Sequence, residues 1–228
     1  MVLALASLAC PIPASAQSKS MQKRVSACFL QSLKAQQAVL EKDGREEFVQ
    51  NLPADIRLQE TVKSADVARY QEMVWAAWCD ANRNLQEQKL IGAEDLQLGR
   101  SDAWNLPGCL EPNAVMPYYY GKKGEAADGK LPLYLYLHGS GPKEAEWQTG
   151  IKLGQSFQDA PSVYFIPQIP NEGEYYRWWH LSKQYAFEKL IRQGLVSGEV
   201  DANRLYVFGI SEGGYGSQRL ASFYADYW

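Results

Sequence analysis

A serine flanked by glycines at the end of an apolar run is the feature that most constrains this chain. Residues 205–208, Leu-Tyr-Val-Phe, are too short for a helix and rich in residues that favour β-structure, so they predict a buried strand. Gly209, Ser211 and Gly213 follow, and residues 215–224 have helical composition without proline. A strand, a sharp turn and a helix in this order are typical of an α/β fold with a mostly parallel sheet.

The turn around Ser211 also suggests a chemical role for this serine. A serine on such a turn is held in a strained backbone conformation, and small neighbours remove the collisions that larger side chains would cause. The hydroxyl of Ser211 would then stand clear of the sheet, where it can act as a nucleophile. A chance match and a serine that only caps the helix are the alternatives. The strand and helix on either side favour the nucleophile.

A second glycine-rich segment lies upstream. Residues 133–137 form an apolar run that leads directly into the loop His138-Gly139-Ser140-Gly141. Acyl transfer requires backbone N–H groups that point at the oxyanion of a tetrahedral intermediate, and bare glycine backbone can approach a substrate closely. The predicted donors are the N–H of Gly139 or Ser140 and the N–H of Glu212, which follows the candidate nucleophile.

These motifs resemble those of the α/β-hydrolase superfamily, and within it the secreted bacterial esterases and the catalytic domains of prolyl-oligopeptidase-like peptidases. The residues that carry the resemblance are the loop 138–141, residues 201–209 and residues 211–216. The resemblance covers about residues 105–228. It implies that Ser211 is the nucleophile, that the backbone of Glu212 with that of Gly139 or Ser140 forms the oxyanion hole, and that no cofactor takes part.

The family order of catalytic residues is serine, then aspartate or glutamate, then histidine. Both histidines of the sequence, His138 and His180, precede Ser211. The resemblance therefore implies that the acid and the histidine lie beyond Trp228, and the chain is interpreted as an inactive, C-terminally truncated α/β-hydrolase. The acidic Glu212 departs from the commonest family pattern. We expect its charge to be exposed, with contact to a cationic group as the alternative.

A cluster of aromatic residues at positions 175–179 follows the predicted strand 162–166. It comes after the carboxyl end of that strand, where open α/β sheets bind ligands. The candidate pocket residues are His138, Tyr175, Trp178, Trp179 and His180. His138 is expected to orient the glycine loop, and packing in the core is the alternative for each ring. The predicted function is hydrolysis of carboxylic esters, with small-molecule or polysaccharide esters as substrates. A peptidase of the prolyl-oligopeptidase type and a catalytically silent carbohydrate- or partner-binding relative remain alternatives.

The remaining pattern of the second half alternates strands and helices. Residues 162–166 predict a strand, and residues 178–193 predict a helix ended by Gly194. Residues 116–120 and 133–137 predict an antiparallel hairpin at the entry to the sheet. Together these elements predict an incomplete α/β-hydrolase fold preceded by a helical N-terminal region.

The first residues predict export. Residues 1–16 carry no charge, contain an apolar run and end in Ala14-Ser15-Ala16, an Ala-x-Ala cleavage signal before Gln17. They lack the positive charge with which a signal peptide usually starts. A periplasmic or extracellular protein is expected, and a lipid anchor on Cys10 is the less favoured alternative.

Residues 17–104 predict a helical N-terminal region. Apolar positions recur at helical spacing within residues 23–51, and a second stripe with Ser64 as its cap consists of Val67, Tyr70, Val74, Trp78 and Ala81. These stripes predict packing faces. Prolines and glycines near residues 104–117 mark the boundary with the catalytic region, residues 105–228.

Composition excludes several classes of partner. The net charge is −3 and basic residues are not clustered, which argues against nucleic-acid binding. No apolar stretch reaches the roughly 20 residues that cross a bilayer.

After cleavage three cysteines remain, Cys28, Cys79 and Cys109. One pair could form a disulfide, but the spacing of the cysteines does not choose the pair and does not suggest a metal site.

Overall fold

The computed structural model describes residues 14–43, 63–127, 129–225 and 227–228. The chain divides into two units, residues 1–87 and 88–228. This boundary lies earlier than the prolines near residue 107 suggest, because two short strands before them pair with the sheet of the second unit.

The first unit contains two helices, α1 (Ala14–Glu41) and α2 (Val67–Asn84), with a 3-10 turn (Ser64–Asp66) before α2. Of the predicted stripe on α2, Val74 and Ala81 are buried, Tyr70 and Trp78 are half-buried, and Val67 at the start of the helix is exposed. Met73 and Ala77 are buried as well. α1 ends at Glu41, and residues 44–51 of the predicted helical stretch lie outside the described residues. Ser64 does not cap α2: Asp66 occupies that position, and neither side chain makes a capping bond.

The predicted signal segment falls largely outside the described residues. Residues 1–13, which include Cys10, are not described, and residues 14–16 lie in the first turn of α1. Export therefore stays a prediction. Within the described ranges, no helix combines the length and the apolar character needed to cross a membrane.

The second unit is built on a six-stranded sheet flanked by helices. Its strands are β1 (Glu94–Asp95), β2 (Arg100–Asn105), β3 (Val115–Lys123), β4 (Leu131–Leu137), β5 (Ser162–Pro167) and β6 (Val200–Gly209). The order is β1-β3-β5-β4-β6, with β2 also paired to β3. The pairs β1–β3, β4–β5 and β4–β6 are parallel, and the pairs β2–β3 and β3–β5 are antiparallel. The predicted α/β class with a mostly parallel sheet is confirmed.

The helices of this unit are α3 (Lys143–Ser156), α4 (Leu181–Ser197) and α5 (Glu212–Phe223). The chain moves from β4 to β5 in one direction and then returns across β4 to β6, so right-handed connections place α3 and α4 on opposite faces of the sheet. The strand side chains that each helix contacts are consistent with this placement on opposite faces. Gly150 of α3 lies against Tyr136, whereas Gly194 of α4 lies near Leu133. Tyr136 and Leu133 point to opposite faces because side chains alternate along a strand.

The predicted hairpin between residues 116–120 and 133–137 is wrong, because β5 lies between β3 and β4. Every residue of β5 is buried, and β5 pairs on both sides. A strand that is apolar on both faces gains most from an interior position, where neither edge meets water.

The predicted helix end at Gly194 is also wrong. Gly194 is buried inside α4, and the helix ends at Gly198, which has a φ of +85°. This left-handed conformation favours glycine and closes the last turn. The helix begins after His180, whose backbone is extended, so Trp178 and Trp179 precede it.

Candidate active site

The turn between β6 and α5 carries Ser211 in an unusual conformation. β6 ends at Gly209, α5 begins at Glu212, and Ser211 between them has φ +53° and ψ −112°. A residue with a Cβ rarely adopts a positive φ, and outside glycine such strain clusters at functional sites. Ser211 is exposed, and its hydroxyl makes no hydrogen bond to any described residue. The structure thus holds a free hydroxyl on a strained turn.

The glycines around Ser211 are required by close backbone contacts. A Cβ at Gly213 would stand 1.8 Å from the carbonyl oxygen of Leu137, and one at Gly209 would stand 2.4 Å from the carbonyl carbon of Gly213. Backbone atoms cannot move aside as a flexible side chain can. The two glycines therefore let the turn close tightly against the end of β4.

The loop after β4 lies against this turn. β4 and β6 are parallel neighbours with Leu137 opposite Gly209, so their carboxyl ends meet at one edge of the sheet. A Cβ on Gly139 would be 3.3 Å from the Ile210 carbonyl oxygen and 3.6 Å from the Ser211 Cβ. The glycine loop and the turn that carries Ser211 are therefore close neighbours at this end of the sheet.

The N–H groups proposed as donors lie in the loop after β4 and at the start of α5. No described residue accepts a hydrogen bond from the N–H of Gly139 or Ser140. Glu212 is the first residue of α5, and N–H groups of a first helical turn have no partner within the helix. A negatively charged oxygen above Ser211 would find uncommitted donors there, together with the positive end of the helix dipole.

His138 is fully buried under the loop, and both ring nitrogens are engaged. Its Nε2 accepts a hydrogen bond from the Ile169 N–H at 3.1 Å, and its Nδ1 lies 2.8 Å from the Gly139 carbonyl oxygen. Because Nε2 accepts, Nδ1 must carry the proton and donate it to Gly139. Burial lowers the pKa of His138, against the opposing effects of its bond to Gly139 and of nearby Glu146 and Glu172. The ring is therefore neutral and braces the loop.

The expectation of an exposed charge at Glu212 is wrong. The side chain is 5% exposed, and its Oε1 accepts a hydrogen bond from the backbone N–H of Trp178 at 3.3 Å. The carboxylate sits within reach of a backbone donor because the segment before α4 packs against α5. Gly216 of α5 permits this approach, since a Cβ there would lie 2.5 Å from the Trp178 Cβ.

The structure separates the candidate pocket residues into different environments. Trp178 is fully buried, with its ring 4.9 Å from His138 and 5.9 Å from Phe187. Trp179 is 38% exposed, and its ring stands 6.4 Å from that of Tyr215.

The other two candidates contact each other. The rings of Tyr175 and His180 lie 5.5 Å apart, and the His180 Nε2 is 2.7 Å from the Glu174 carbonyl oxygen. The pocket role of all five candidates stays a prediction.

Sequence reasoning missed Tyr215, and it placed Tyr176 in the aromatic cluster without predicting its bond to the glycine loop. Tyr215 is 65% exposed and lies one helical turn after Ser211, with its N–H donating to the Ser211 carbonyl oxygen. Tyr176 is buried and its hydroxyl donates to the Gly141 carbonyl oxygen at 2.9 Å. The helical spacing from Ser211 could have identified Tyr215. Nothing local could have identified Tyr176, because its partner is 35 residues away.

Sequence reasoning also missed a buried ion pair beside the site. Glu111 and Lys183 are both fully buried, and the Glu111 Oε2 accepts hydrogen bonds from the Lys183 Nζ and the Ser182 hydroxyl. The Lys183 Nζ also donates to the Tyr175 carbonyl oxygen at 2.9 Å. The ion pair thus holds the aromatic segment, residues 175–180, against the start of α4.

Among the described residues, no group of three or more histidine, cysteine, aspartate or glutamate side chains is arranged to hold a metal ion.

Comparison with known proteins gives distant likenesses. No protein-family model matches the chain, and no curated protein matches it. The crystal structure of a thermostable esterase matches with a TM-score of 0.48 and 23% identity, covering 58% of this chain and 39% of that chain. An enterochelin esterase from Shigella flexneri matches with a TM-score of 0.39 and 16% identity, covering 57% of this chain and 34% of that chain. This chain therefore spans well under half the length of either structure.

Proposed function

We propose that this protein is a serine hydrolase that cleaves carboxylic esters through an acyl-enzyme on Ser211. The observation that carries the proposal is the conformation of Ser211, which combines a positive φ with an exposed and unpaired hydroxyl. A serine that only capped the helix would have no need of this strain, and Ser211 makes no capping bond from its side chain.

The proposed reaction has two steps. The Ser211 Oγ attacks the ester carbonyl carbon, its proton goes to a general base, and the bond to the alcohol breaks as the alcohol oxygen takes up that proton. Water then attacks the acyl-serine and releases the acid. His138 is not the base, because both of its ring nitrogens are engaged inside the protein.

The oxyanion of both tetrahedral intermediates would lie between the loop after β4 and the start of α5. The N–H of Glu212 and that of Gly139 or Ser140 are the proposed donors, and each removed donor typically lowers kcat by about 10²–10³-fold in such enzymes. No cofactor is needed, because the charge is stabilised by backbone dipoles that are already in place.

The exposed aromatic rings near Ser211 support an ester with a planar or carbohydrate group. Trp179 and Tyr215 stand nearly perpendicular, with an interplanar angle of 87°. Such a corner offers one ring face and one ring edge to a substrate. Both surfaces can pack against an aromatic group, and the ring face can pack against the C–H groups of a sugar. Substitution of Trp179 and Tyr215 by alanine should therefore raise KM more for a sugar or aromatic ester than for a simple acetate. Equal effects on both substrates would remove this part of the proposal.

Export is part of the proposal. Cleavage after Ala16 would give a mature protein that begins at Gln17, which N-terminal sequencing of the secreted protein can check.

The function is tested by hydrolysis of a p-nitrophenyl ester in the full-length natural protein, in which the acid and the histidine that the resemblance implies are expected. We expect turnover that Ser211→Ala abolishes and that Ser222→Ala leaves unchanged. Ser222 is the matched control, since it is an exposed helical serine whose hydroxyl bonds only to its own helix, at Gln218. Equal rates in the Ser211→Ala and wild-type proteins would contradict the proposal. A parallel assay with an anilide of the same acid separates an esterase from a peptidase.

A further inference from the structure

We propose that Tyr176, Trp178 and His138 are positioning residues that aim the N–H groups of Gly139 and Ser140 at the substrate oxyanion. The inference rests on the proposed function, since it assigns these side chains a part in stabilising the same intermediate. It depends on the planarity of two consecutive peptide units in the loop after β4.

The first peptide unit joins His138 to Gly139. Its carbonyl oxygen accepts a hydrogen bond from the Trp178 indole N–H at 2.9 Å, in a fully buried position. In a planar trans peptide the C=O and the N–H point in opposite directions. Holding the carbonyl towards the core therefore turns the Gly139 N–H away from the core.

The second peptide unit joins Gly139 to Ser140. Its carbonyl oxygen accepts the Nδ1 proton of His138 at 2.8 Å, and the Tyr176 hydroxyl is 3.4 Å away. The same planarity turns the Ser140 N–H in the opposite direction. Ser140 is exposed, whereas its pinned neighbour Gly139 is buried, which agrees with this orientation.

The Tyr176 hydroxyl fixes the far end of the loop. It has one proton, and the shorter contact, 2.9 Å to the Gly141 carbonyl oxygen, identifies the main acceptor. Burial raises the pKa of Tyr176, so the hydroxyl remains a donor at neutral pH. Carbonyls on both sides of Ser140 are thus held by buried ring donors.

Trp178 also contacts Glu212, whose N–H is the second proposed donor of the oxyanion hole. The Trp178 backbone N–H donates to the Glu212 carboxylate, while its indole N–H donates to His138. Trp178 therefore ties the loop after β4 to the first residue of α5. The side chain and backbone of Trp178 therefore fix the distance between the N–H groups of the loop and the N–H of Glu212.

The test compares two variants that each remove one buried tyrosine hydroxyl. Tyr176→Phe deletes the bond to Gly141, whereas Tyr120→Phe deletes a buried hydroxyl that has no described partner. Each full-length protein is assayed with an ester and with the corresponding thionoester, whose sulfur accepts hydrogen bonds weakly. A loop that aims its donors well favours the oxygen substrate, so the rate ratio between the two substrates reports on the oxyanion hole.

We expect Tyr176→Phe to lower kcat for the oxygen ester about tenfold, with KM little changed, and to lower the oxygen-to-sulfur rate ratio. Tyr120→Phe should leave both quantities at the wild-type value. Trp178→Phe, which keeps an aromatic ring but lacks the N–H, should act like Tyr176→Phe and is the second variant if the first does not fold.

Two results would overturn the inference, and they are distinct. If the wild-type protein shows Ser211-dependent turnover but Tyr176→Phe and Trp178→Phe keep the wild-type kcat and rate ratio, the positioning role is wrong and the proposed function stands. If the wild-type protein shows no Ser211-dependent turnover, the proposed function fails and the positioning role fails with it.

Discussion

At the scale of single residues, the site is defined by strain that the surrounding structure enforces. Ser211 has a positive φ, and its glycine neighbours at positions 209 and 213 touch backbone atoms of β4 and of the turn itself. Strain of this kind costs about 1–3 kcal/mol and persists where a function needs it. We therefore expect stability and activity to oppose each other at this position.

Ser211→Gly should be more stable than Ser211→Ala by about 1 kcal/mol, although both lack the hydroxyl. Glycine adopts a positive φ without strain, and this gain outweighs its larger entropy loss of about 0.5–1 kcal/mol. Urea unfolding of the two variants measures the difference. An alanine variant as stable as the glycine variant would mean that the backbone at Ser211 is not strained.

His138 should make the protein acid-sensitive. Burial lowers its pKa in the folded state below the usual 6.5, so the unfolded chain binds a proton that the folded protein excludes. The stabilising contribution is complete above pH 6.5 and is lost as the pH falls from 6.5 through the lowered folded-state pKa. Between pH 7 and about 5, the free energy of unfolding of the wild type should decrease as the pH is lowered, and that of His138→Asn should decrease less. Equal slopes would contradict this role.

At the scale of elements, the aromatic segment before α4 is held by the buried pair of Glu111 and Lys183. Each side chain is fully buried, and the Glu111 Oε1 has no hydrogen-bond partner among the described residues. Removing one partner of such a pair leaves a charge without compensation, whereas replacing both by neutral groups can be almost harmless.

Lys183→Met should therefore destabilise the protein by about 3–5 kcal/mol, and the double variant Glu111→Leu with Lys183→Met, in which both partners are apolar, should recover most of the loss. Denaturant unfolding of the two proteins gives both values. A double variant that is no more stable than Lys183→Met would show that the lysine acts through packing and not through its charge.

The elements differ in how well the sequence predicts them. Strands β4, β5 and β6 can be predicted because each contains a short continuous apolar run; β5 ends at Pro167, β6 ends at Gly209, and β4 leads into the glycine loop 138–141. Helix α3 was missed, because its buried face includes the small residues Gly150 and Gly154, which lie against Tyr136, Tyr164 and Ile166. Because glycines occupy two of the four buried positions, beside Trp147 and Ile151, the hydrophobic stripe of α3 is weak. The hairpin was predicted wrongly because strand pairing depends on the intervening β5, which is distant in sequence.

At the scale of the whole molecule, the sheet order creates the site. β4 lies between β5 and β6: the connection from β4 runs to β5 on one side, and the connection from β5 returns across β4 to β6 on the other. Open α/β sheets bind ligands at the carboxyl ends of strands where the connections change direction in this way. The sequence could indicate Ser211 and the glycine loop, because each is a local motif. It could not indicate that the indole of Trp178 reaches a carbonyl 40 residues earlier, because that contact exists only once the sheet has formed.

The central claim is that Ser211 is a nucleophile beside an oxyanion hole, and covalent labelling tests it most directly. The full-length protein is treated with a fluorophosphonate probe, digested and mapped by mass spectrometry. We predict one probe per molecule, attached to the peptide that contains Ser211 and absent from Ser211→Ala. A folded protein that takes up no probe, or carries it equally in the Ser211→Ala variant, would contradict the account and favour a catalytically silent relative.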